Sequence, residues 1–153
     1  MTLAIVQVRS TVDMDTEIED TLEMLNLGGV NNLTVIPEEP SYTGMVKKVN
    51  DYVAFGEPDS DTLELVLGRR GETLEEEELT EEYVEEETEY GSISELAEAV
   101  LSGETTLKEA GVSPTVRLHP PRKGHGGAKT PKTEGGVLGN HEEEIDELIK
   151  SMR

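Results

Sequence analysis

The most distinctive chemistry in this 153-residue chain lies in residues 114–133, which contain five basic side chains, two histidines and no acid. The whole chain has 13 lysines and arginines against 34 acids, for a net charge of -21. An acidic protein that keeps one long segment free of acid is typical of a segment that meets a polyanion. Phosphate backbones are the commonest such partner, because cations and backbone amides contact them. The candidate contacts in this stretch are Arg117, His119, Arg122, Lys123, His125, Lys129 and Lys132.

A run within this stretch, 124–130, looks like a phosphate-binding loop but lacks its glycines. Lys123 and Ala128 stand where the motif G-x-x-x-x-G-K-[ST] needs glycine, so nucleotide hydrolysis is not expected. The three histidines have no cysteine partners and no zinc-ligand spacing, so no metal is expected. No pair of the many carboxylates stands out as general acid and base, and no serine lies in a G-x-S-x-G turn. The sequence therefore predicts a binding protein rather than an enzyme, with no cofactor and no small-molecule substrate.

Three further cations stand out because basic residues are scarce elsewhere in the chain. Lys47 and Lys48 are adjacent in a predicted helix, and Arg9 follows the first predicted strand. In most proteins such side chains are ordinary surface charges. Here their scarcity makes Arg9, Lys47 and Lys48 additional candidates for contact with the polyanion.

The acids are concentrated outside the basic stretch. The net charge is -6 over residues 1–56, -16 over 57–109, +5 over 110–133 and -4 over 134–153. Repulsion on this scale destabilises a compact state in dilute buffer, whereas at about 1 M salt the Debye length falls to roughly 3 Å and screens it. Acids are also dense in the predicted helices, which favours adaptation to molar internal salt. An acidic tail or disordered insert in an ordinary cell is the alternative.

Neither end nor middle of the chain suggests a membrane protein. The apolar run at the N-terminus is too short for a signal peptide and has no charged region before it. No window approaches the roughly 18 apolar residues that span a bilayer. We therefore expect a cytoplasmic protein without a membrane partner.

Hydrophobic periodicity predicts the elements that position these residues. Short β-branched runs indicate three strands, and apolar residues at helical spacing indicate a helix in each gap between them. The result is a strand–helix–strand–helix–strand order over about 55 residues. The predicted elements are a strand at 3–8, a helix through Met14, Ile18, Leu22 and Leu25, a strand at 33–36, a helix at 41–49 and a strand at 52–55. Asp13 or Thr16 could cap the first helix, and Thr16 with Glu19 also fits a capping box.

The remaining residues predict a helical extension and an arm. A helix is expected over 60–70, and the acidic run 72–89 is either a weak helix or a solvated loop. A capping box of Ser92 and Glu95 predicts a helix that ends at Gly103. Residues 119–140 are rich in glycine and proline, so they form either a flexible linker or an arm that a partner orders, and their charge favours the arm. A strand at 115–118 and a C-terminal helix through Ile145, Leu148, Ile149 and Met152 complete the prediction.

Two runs in the first half of the chain carry a resemblance to a known family. TLEMLNLGGVNN at 21–32 and YTGMVKKVNDYVAFGEP at 42–58 are similar to the large-subunit ribosomal protein family called L-thirty in bacteria and archaea and L-seven in eukaryotes. The later run LHPPRKGHGGAKTPKTEGGVLGN and the final IDELIKSMR resemble the extension of archaeal members. The acidic insert resembles that of members from halophilic archaea.

The resemblance implies a role for particular positions of this chain. Gly44, Met45, Lys48 and Val49 match the family's G-M-V-x-K-V helix, and Pro120, Pro121, Arg122 and Gly124 match its P-P-R-x-G arm. The chain departs from the family at two places. His125 stands where many relatives have an aromatic residue, and Asp146, Glu147 and Lys150 stand where many have several bases.

The resemblance also implies an α+β fold and a structural role without catalysis. Its core is βαβαβ with an antiparallel three-stranded sheet, half of a ferredoxin-like fold, with the sheet on one side and the helices on the other. We expect this core at 1–58, an acidic helical extension at 59–113, a long basic Gly/Pro arm at 114–140 and a C-terminal helix at 141–153. The implied partner is 23S rRNA of the large subunit, with contact to 5S rRNA and neighbouring ribosomal proteins left open. The alternative function is an acidic, non-ribosomal adaptor whose basic arm docks a protein or another anionic partner.

Overall fold

The computed structural model describes residues 2–9, 15–37, 39–121, 136–142 and 144–153, together with the backbone of 127–131. Strands and helices alternate through the first third, and helices dominate the middle. The elements are β1 (Thr2–Gln7), α1 (Thr16–Met24), β2 (Asn32–Pro37), α2 (Pro40–Lys48), β3 (Val53–Gly56), α3 (Ser60–Arg70), α4 (Glu81–Glu87), α5 (Ile93–Ser102), β4 (Val116–Arg117), β5 (Gly127–Pro131), β6 (Gly136–Glu142) and α6 (Ile145–Ser151).

The predicted βαβαβ core is confirmed, and its three strands form an antiparallel sheet. β1 lies in the centre, where Val6 is paired with Leu33 of β2 on one side and with Ala54 of β3 on the other. Three further strands extend this sheet. β4 pairs antiparallel with β2, β6 pairs parallel with β3, and β5 pairs parallel with β6. Among the described residues the sheet therefore has six strands in the order β4-β2-β1-β3-β6-β5.

Helices cover both faces of the sheet. Alternate residues of a strand point to opposite faces, so Ile5 packs with the apolar side chains of α1 and α2, while Val6 packs with those of α3, α5 and α6. Within the predicted core the two helices do lie on one side of the sheet. The acidic extension supplies the cover for the other side, because its apolar stripe includes Leu63, Val66 and Leu67, all nearly inaccessible to solvent.

The acidic run divides into a loop and a short helix. Residues 72–80 form a loop, and α4 covers only Glu81–Glu87. Leu79 and Val84 anchor the run in the core, whereas Leu74 is 54% exposed. Each alternative raised by the sequence therefore holds for part of the run. The run is attached to the rest of the fold at three buried positions, since Thr73 is buried as well as Leu79 and Val84.

The predicted Ser92 cap is confirmed and the Thr16 cap is wrong, while Asp13, the other cap predicted for α1, lies outside the described residues. Ser92 Oγ accepts the Glu95 N–H at 3.2 Å, Glu95 Oε2 accepts the Gly91 N–H at 2.8 Å, and Gly103 ends α5 with φ of 83°. At α1, in contrast, Thr16 is already helical, and Asp15 occupies the cap position without a side-chain hydrogen bond. Thr16 therefore cannot act as the capping residue.

The second half of the predicted arm contains two strands. Residues 136–142 form β6, in which Val137 and Leu138 are buried and Gly139 has φ of 92°. A segment so poor in apolar residues cannot fold alone, but the free edge of β3 offers it backbone hydrogen bonds and a core to cover. The structure thus places residues 136–142 in the sheet instead of in an extended arm.

Two carboxylates meet where α3 and α6 begin. Asp59 Oδ1 accepts the Thr62 N–H at 2.8 Å, and the Asp59 N–H donates to Asp146 Oδ1 at 3.1 Å. The hydrogen bond from the Thr62 N–H holds the pKa of Asp59 below its ordinary value. Burial raises the pKa of Asp146, and the neighbouring Asp59 charge acts in the same direction. The contact joins the two helices but places like charges side by side.

Asp146→Asn should raise the free energy of unfolding at neutral pH. The amide oxygen can still accept the Asp59 N–H, while the half-buried charge is removed. Because the folded-state pKa of Asp146 is raised, its ionisation weakens the fold above that pKa and has no such effect below the unfolded pKa. The gain should therefore vanish below about pH 4.

Urea unfolding in molar KCl across this pH range measures the effect. Asp61→Asn, the same change at an exposed position in the first turn of α3, is the control and should give no gain. A gain for Asp146→Asn that is equally large at acidic and neutral pH would show that the charge is not its cause.

Candidate nucleic-acid interface

The strand directions bring several candidate cations to one end of the sheet. β1 and β4 end there, and β2, β3 and β6 begin there, as the registers Gln7 with Val53 and Asn32 with Arg117 require. We call this the cationic end of the sheet. Arg9 directly follows β1, Arg117 ends β4, and α2 ends just before β3. Residues that are distant in sequence are thus placed on a common surface.

Arg9 is fixed in position by the turn that leads into β3. Its guanidinium carbon lies 4.8 Å from the centre of the Tyr52 ring, and its Nη1 donates to the Asp51 carbonyl at 3.4 Å. Its backbone N–H donates to the Tyr52 carbonyl at 3.2 Å. An arginine held over an aromatic ring keeps donors free to bind a phosphate in a fixed direction. Among the candidates whose side chains are described, Arg9 has the geometry best suited to a defined contact.

Lys47 and Lys48 form the last turn of α2, and both are exposed. Lys48 Nζ lies 2.5 Å from Glu17 Oε1, and this partner holds the pKa of Glu17 below its ordinary value. Exposed pairs of this kind are weak and are further screened by salt. Lys48 can therefore exchange Glu17 for a phosphate, and Lys47 extends the same edge.

Arg117 is partly neutralised by the acidic extension. Its Nη2 lies 3.3 Å from Glu72 Oε2 and 3.6 Å from Glu76 Oε1. The arginine side chain is 61% exposed, so these pairs contribute little stability and leave the guanidinium accessible. Contact between Arg117 and a polyanion would have to replace them.

His119 links the cationic end to the end of the chain. Its backbone N–H donates to the Met152 carbonyl at 2.8 Å, and its Nδ1 lies 2.6 Å from the Pro120 carbonyl. This contact brings Arg153, the last residue, next to the candidate surface. Sequence reasoning missed Arg153, because a base at a helix C-terminus is ordinarily only a complement to the helix dipole.

The remaining candidates of the basic stretch follow His119 in the chain. Arg122, Lys123, His125 and Lys132 lie outside the described residues. Lys129 lies in β5, where only the backbone is described. His141, the third histidine of the chain, is buried, and its Nε2 lies 2.6 Å from the Val137 carbonyl, which indicates a structural role.

The described part of the chain contains neither a membrane-spanning helix nor a cluster of metal ligands. Every helix there is too short or too polar to cross a lipid bilayer. The same residues bring together no group of three or more acidic or histidine side chains able to hold a metal ion.

Comparison with known proteins gives consistent matches along the whole chain. Residues 3–53 match the family model described as ribosomal protein L30p/L7e. The chain is 57% identical to the large ribosomal subunit protein uL30 of Haloarcula marismortui, over 98% of this chain and 99% of that one. With the same coverage it is 53% identical to the protein of that name from Natronomonas pharaonis and 52% identical to that from Halobacterium salinarum. The similarity therefore includes the core, the acidic extension and the basic stretch.

Proposed function

Because the chain belongs to the ribosomal protein L30p/L7e family, we propose that it is a structural constituent of the large ribosomal subunit in the cytoplasm. Its relatives are named as large-subunit proteins over nearly the full length of this chain. The family is one of ribosomal proteins rather than enzymes, in agreement with the expectation from the sequence. The end-to-end similarity argues against the alternative of a non-ribosomal adaptor.

The finer part of the proposal is that the protein binds 23S rRNA. The observation that carries it is the convergence of Arg9, Lys47, Lys48 and Arg117 at one end of the sheet of a strongly acidic protein. The basic stretch leaves the sheet at the same end, directly after β4. The core would contact backbone phosphates there, and the residues from Arg122 to Lys132 would run along or between rRNA helices. Contact with 5S rRNA or with neighbouring ribosomal proteins is not needed for this mechanism.

Salt limits the kind of contact that this interface can use. In a cell with molar salt, release of counterions contributes little to affinity, because affinity falls steeply as salt rises. Specific binding must then depend on shape, hydrogen bonds and stacking. The fixed guanidinium of Arg9 can supply directed hydrogen bonds of this kind. Glycines in the basic stretch would let its backbone approach the RNA closely, which supports recognition by shape.

Sedimentation of cell extract through a sucrose gradient in molar KCl tests the function. The protein should travel with the large subunit and should leave it after ribonuclease treatment. A protein that stays at the top of the gradient in both samples would overturn the ribosomal role. A heavy complex that ribonuclease does not disturb would point to the adaptor instead.

Arg122→Glu should weaken assembly into the large subunit at least tenfold. The change removes a contact that can be bidentate and places a negative charge against phosphate, and charge-assisted hydrogen bonds are worth about 1.5–3 kcal/mol each. Lys108→Glu, the same change of charge in the acidic extension, is the control and should have little effect. Competition between tagged variant and wild-type protein during subunit assembly measures the ratio. Equal effects of the two variants would argue against the role of the basic stretch.

A further inference from the structure

A loop at the cationic end of the sheet has a different chemistry from the cations around it. Residues 25–31, which we call the uncharged loop, connect α1 to β2, and the chain carries no charged side chain from Met24 to Pro37. Yet 31% of all residues in this protein are charged. An exposed loop that avoids both acids and bases fits a surface that is covered by a partner.

The loop and the helix end before it expose apolar side chains. Among the described residues, three large apolar side chains are strongly exposed: Val30 in the loop at 43%, Met24 at the end of α1 at 58%, and Leu74 in the acidic extension. Leu25 and Leu27 are buried and hold the loop to the core. The exposure of Val30 is therefore not caused by a loose segment, since the loop is anchored by its neighbours.

Hydrogen bonds hold the loop in a single conformation. Gln7, at the end of β1, is fully buried, and its side-chain oxygen accepts the Gly28 N–H at 3.0 Å while its side-chain nitrogen donates to the Arg9 carbonyl at 2.9 Å. The Gln7 carbonyl accepts the Asn31 N–H at 2.8 Å. One buried side chain thus fixes the loop and Arg9 relative to each other.

The opposite side of the loop is tied to β4 and its flanking residues, at the start of the basic stretch. The Leu118 N–H donates to the Asn31 carbonyl at 3.0 Å, and the Thr115 hydroxyl donates to the Asn26 carbonyl. Asn26 and Asn31 have φ of 62° and 68°, and Gly28 has φ of 145°, so the backbone takes conformations that ordinary side chains disfavour. The loop is a preformed surface between Arg9 and Arg117.

We infer that the uncharged loop receives an unpaired nucleotide of the RNA, with its base against Val30, and that Gln7 is the positioning residue for this contact. The inference rests on the proposed function, because the flanking Arg9 and Arg117 are what bring a phosphate backbone here. An unpaired base presents a flat apolar face and polar edges, which match an exposed Val30 beside asparagine and backbone amides. Such a contact tolerates molar salt, since it does not depend on ion pairs.

A charge placed at Val30 tests the contact with little risk to the fold. Val30→Glu should weaken binding of 23S rRNA about tenfold in molar KCl, because it replaces an apolar contact with the base by a charge that repels phosphate. Leu74→Glu is the matched control, because Leu74 is 54% exposed but lies in the loop of the acidic extension. Its affinity should stay within about twofold of wild type, which filter binding can resolve.

The possible results separate this inference from the proposed function. If the wild-type protein does not bind 23S rRNA, the proposed function fails. If wild type binds and Val30→Glu binds equally well, the inference alone is overturned. If Val30→Glu binds free rRNA normally but fails to enter subunits, the loop contacts a neighbouring protein, which also overturns the inference.

Gln7→Met tests the positioning role, because it keeps the length of the side chain and removes both hydrogen bonds. Its affinity should fall, while the slope of log affinity against log salt, which reports phosphate contacts, should not change. The wild-type protein should also protect an unpaired base from dimethyl sulfate, and Gln7→Met should lose that protection. Unchanged affinity and unchanged protection would show that Gln7 does not position this contact. If Gln7→Met does not fold, the Val30→Glu result alone decides whether the loop contacts the base.

Discussion

Gly56→Ala is expected to lower the free energy of unfolding by about 3 kcal/mol, at the upper end of what overpacking costs. A Cβ at Gly56 would lie 2.3 Å from the Glu142 carbonyl oxygen and 2.8 Å from Ile145 Cβ. Neither atom belongs to the flexible end of a side chain, so the neighbouring backbone would have to move. Gly56 is the point where β3 meets both β6 and the start of α6.

The damage should be concentrated in the C-terminal part of the chain. If the junction at Gly56 opens, β6 and α6 lose their closest contact with the core strands. The far end of α6 holds His119 through the Met152 carbonyl, so the origin of the basic stretch would also lose a support. Hydrogen exchange should therefore show faster exchange in residues 136–152 than in β1 and β2.

Gly68→Ala is the matched control for this prediction. Gly68 lies within α3, and a Cβ there would have no atom within 4 Å. Alanine in a helix is favoured over glycine by about 0.5–1 kcal/mol, so this variant should be more stable than wild type. Urea unfolding in molar KCl measures both variants. If Gly56→Ala were as stable as wild type, the close approach of β6 and α6 to Gly56 could not hold in solution.

The first half of the fold was predictable because its signals are local. The β-branched run of β1 and the helical spacing of Leu22 and Leu25 identify the elements without knowledge of their partners. The predicted boundaries of β1, β2 and β3 each differ from the observed ones by one residue. A buried face of α3 was equally visible in Leu63, Val66 and Leu67, all of which are buried.

β6 could not be predicted because its stability comes from a distant partner. Its apolar content is little more than Val137 and Leu138, surrounded by glycines, and no period-two pattern stands out. The strand forms against β3, some eighty positions earlier in the chain, where Ala54 is paired with Gly139. Tertiary context of this kind outweighs local preference in sheets.

The candidate interface was predictable residue by residue but not as a surface. Arg9, Lys47, Lys48 and Arg117 could be selected because bases are scarce. Arg117 lies beside the other three only because β4 pairs with β2, and a two-residue strand gives no sequence signal for that pairing. The exposure of Val30 could not be predicted from the sequence either, because an apolar residue close to a strand is normally expected in the core.

The largest effect of any condition should be that of salt on stability. The net charge of -21 is spread over a folded chain whose acidic extension forms one cover of the sheet, so like charges are held close together in the native state. At about 0.01 M salt the Debye length is about 30 Å, and most of these charges repel one another, whereas molar KCl screens them. The free energy of unfolding should therefore fall by several kcal/mol between these conditions, and the protein could unfold at low salt.

Variants with fewer acids should lose part of this dependence. Glu85, Glu86 and Glu87 are exposed in the second half of α4, where negative charge also opposes the helix dipole. Replacing all three by glutamine should raise the free energy of unfolding by about 1–2 kcal/mol at low salt, because each unfavourable charge near a helix terminus costs about 0.3–1 kcal/mol. In molar KCl the same variant should match wild type.

Thermal melts of wild type and the triple variant across a KCl series measure this dependence of stability on salt. A parallel series in a neutral osmolyte is the control, because such an osmolyte stabilises compact states without screening charge. If screening is the mechanism, the stability difference between the triple variant and wild type should shrink as KCl rises. The same difference should stay constant as the osmolyte concentration rises. Wild-type stability that does not change between low and molar KCl would contradict adaptation to salt. In that case the repulsion among the 19 acids in residues 57–109 would already be balanced within the fold at low salt. The excess of acids would then have a cause other than screening by salt.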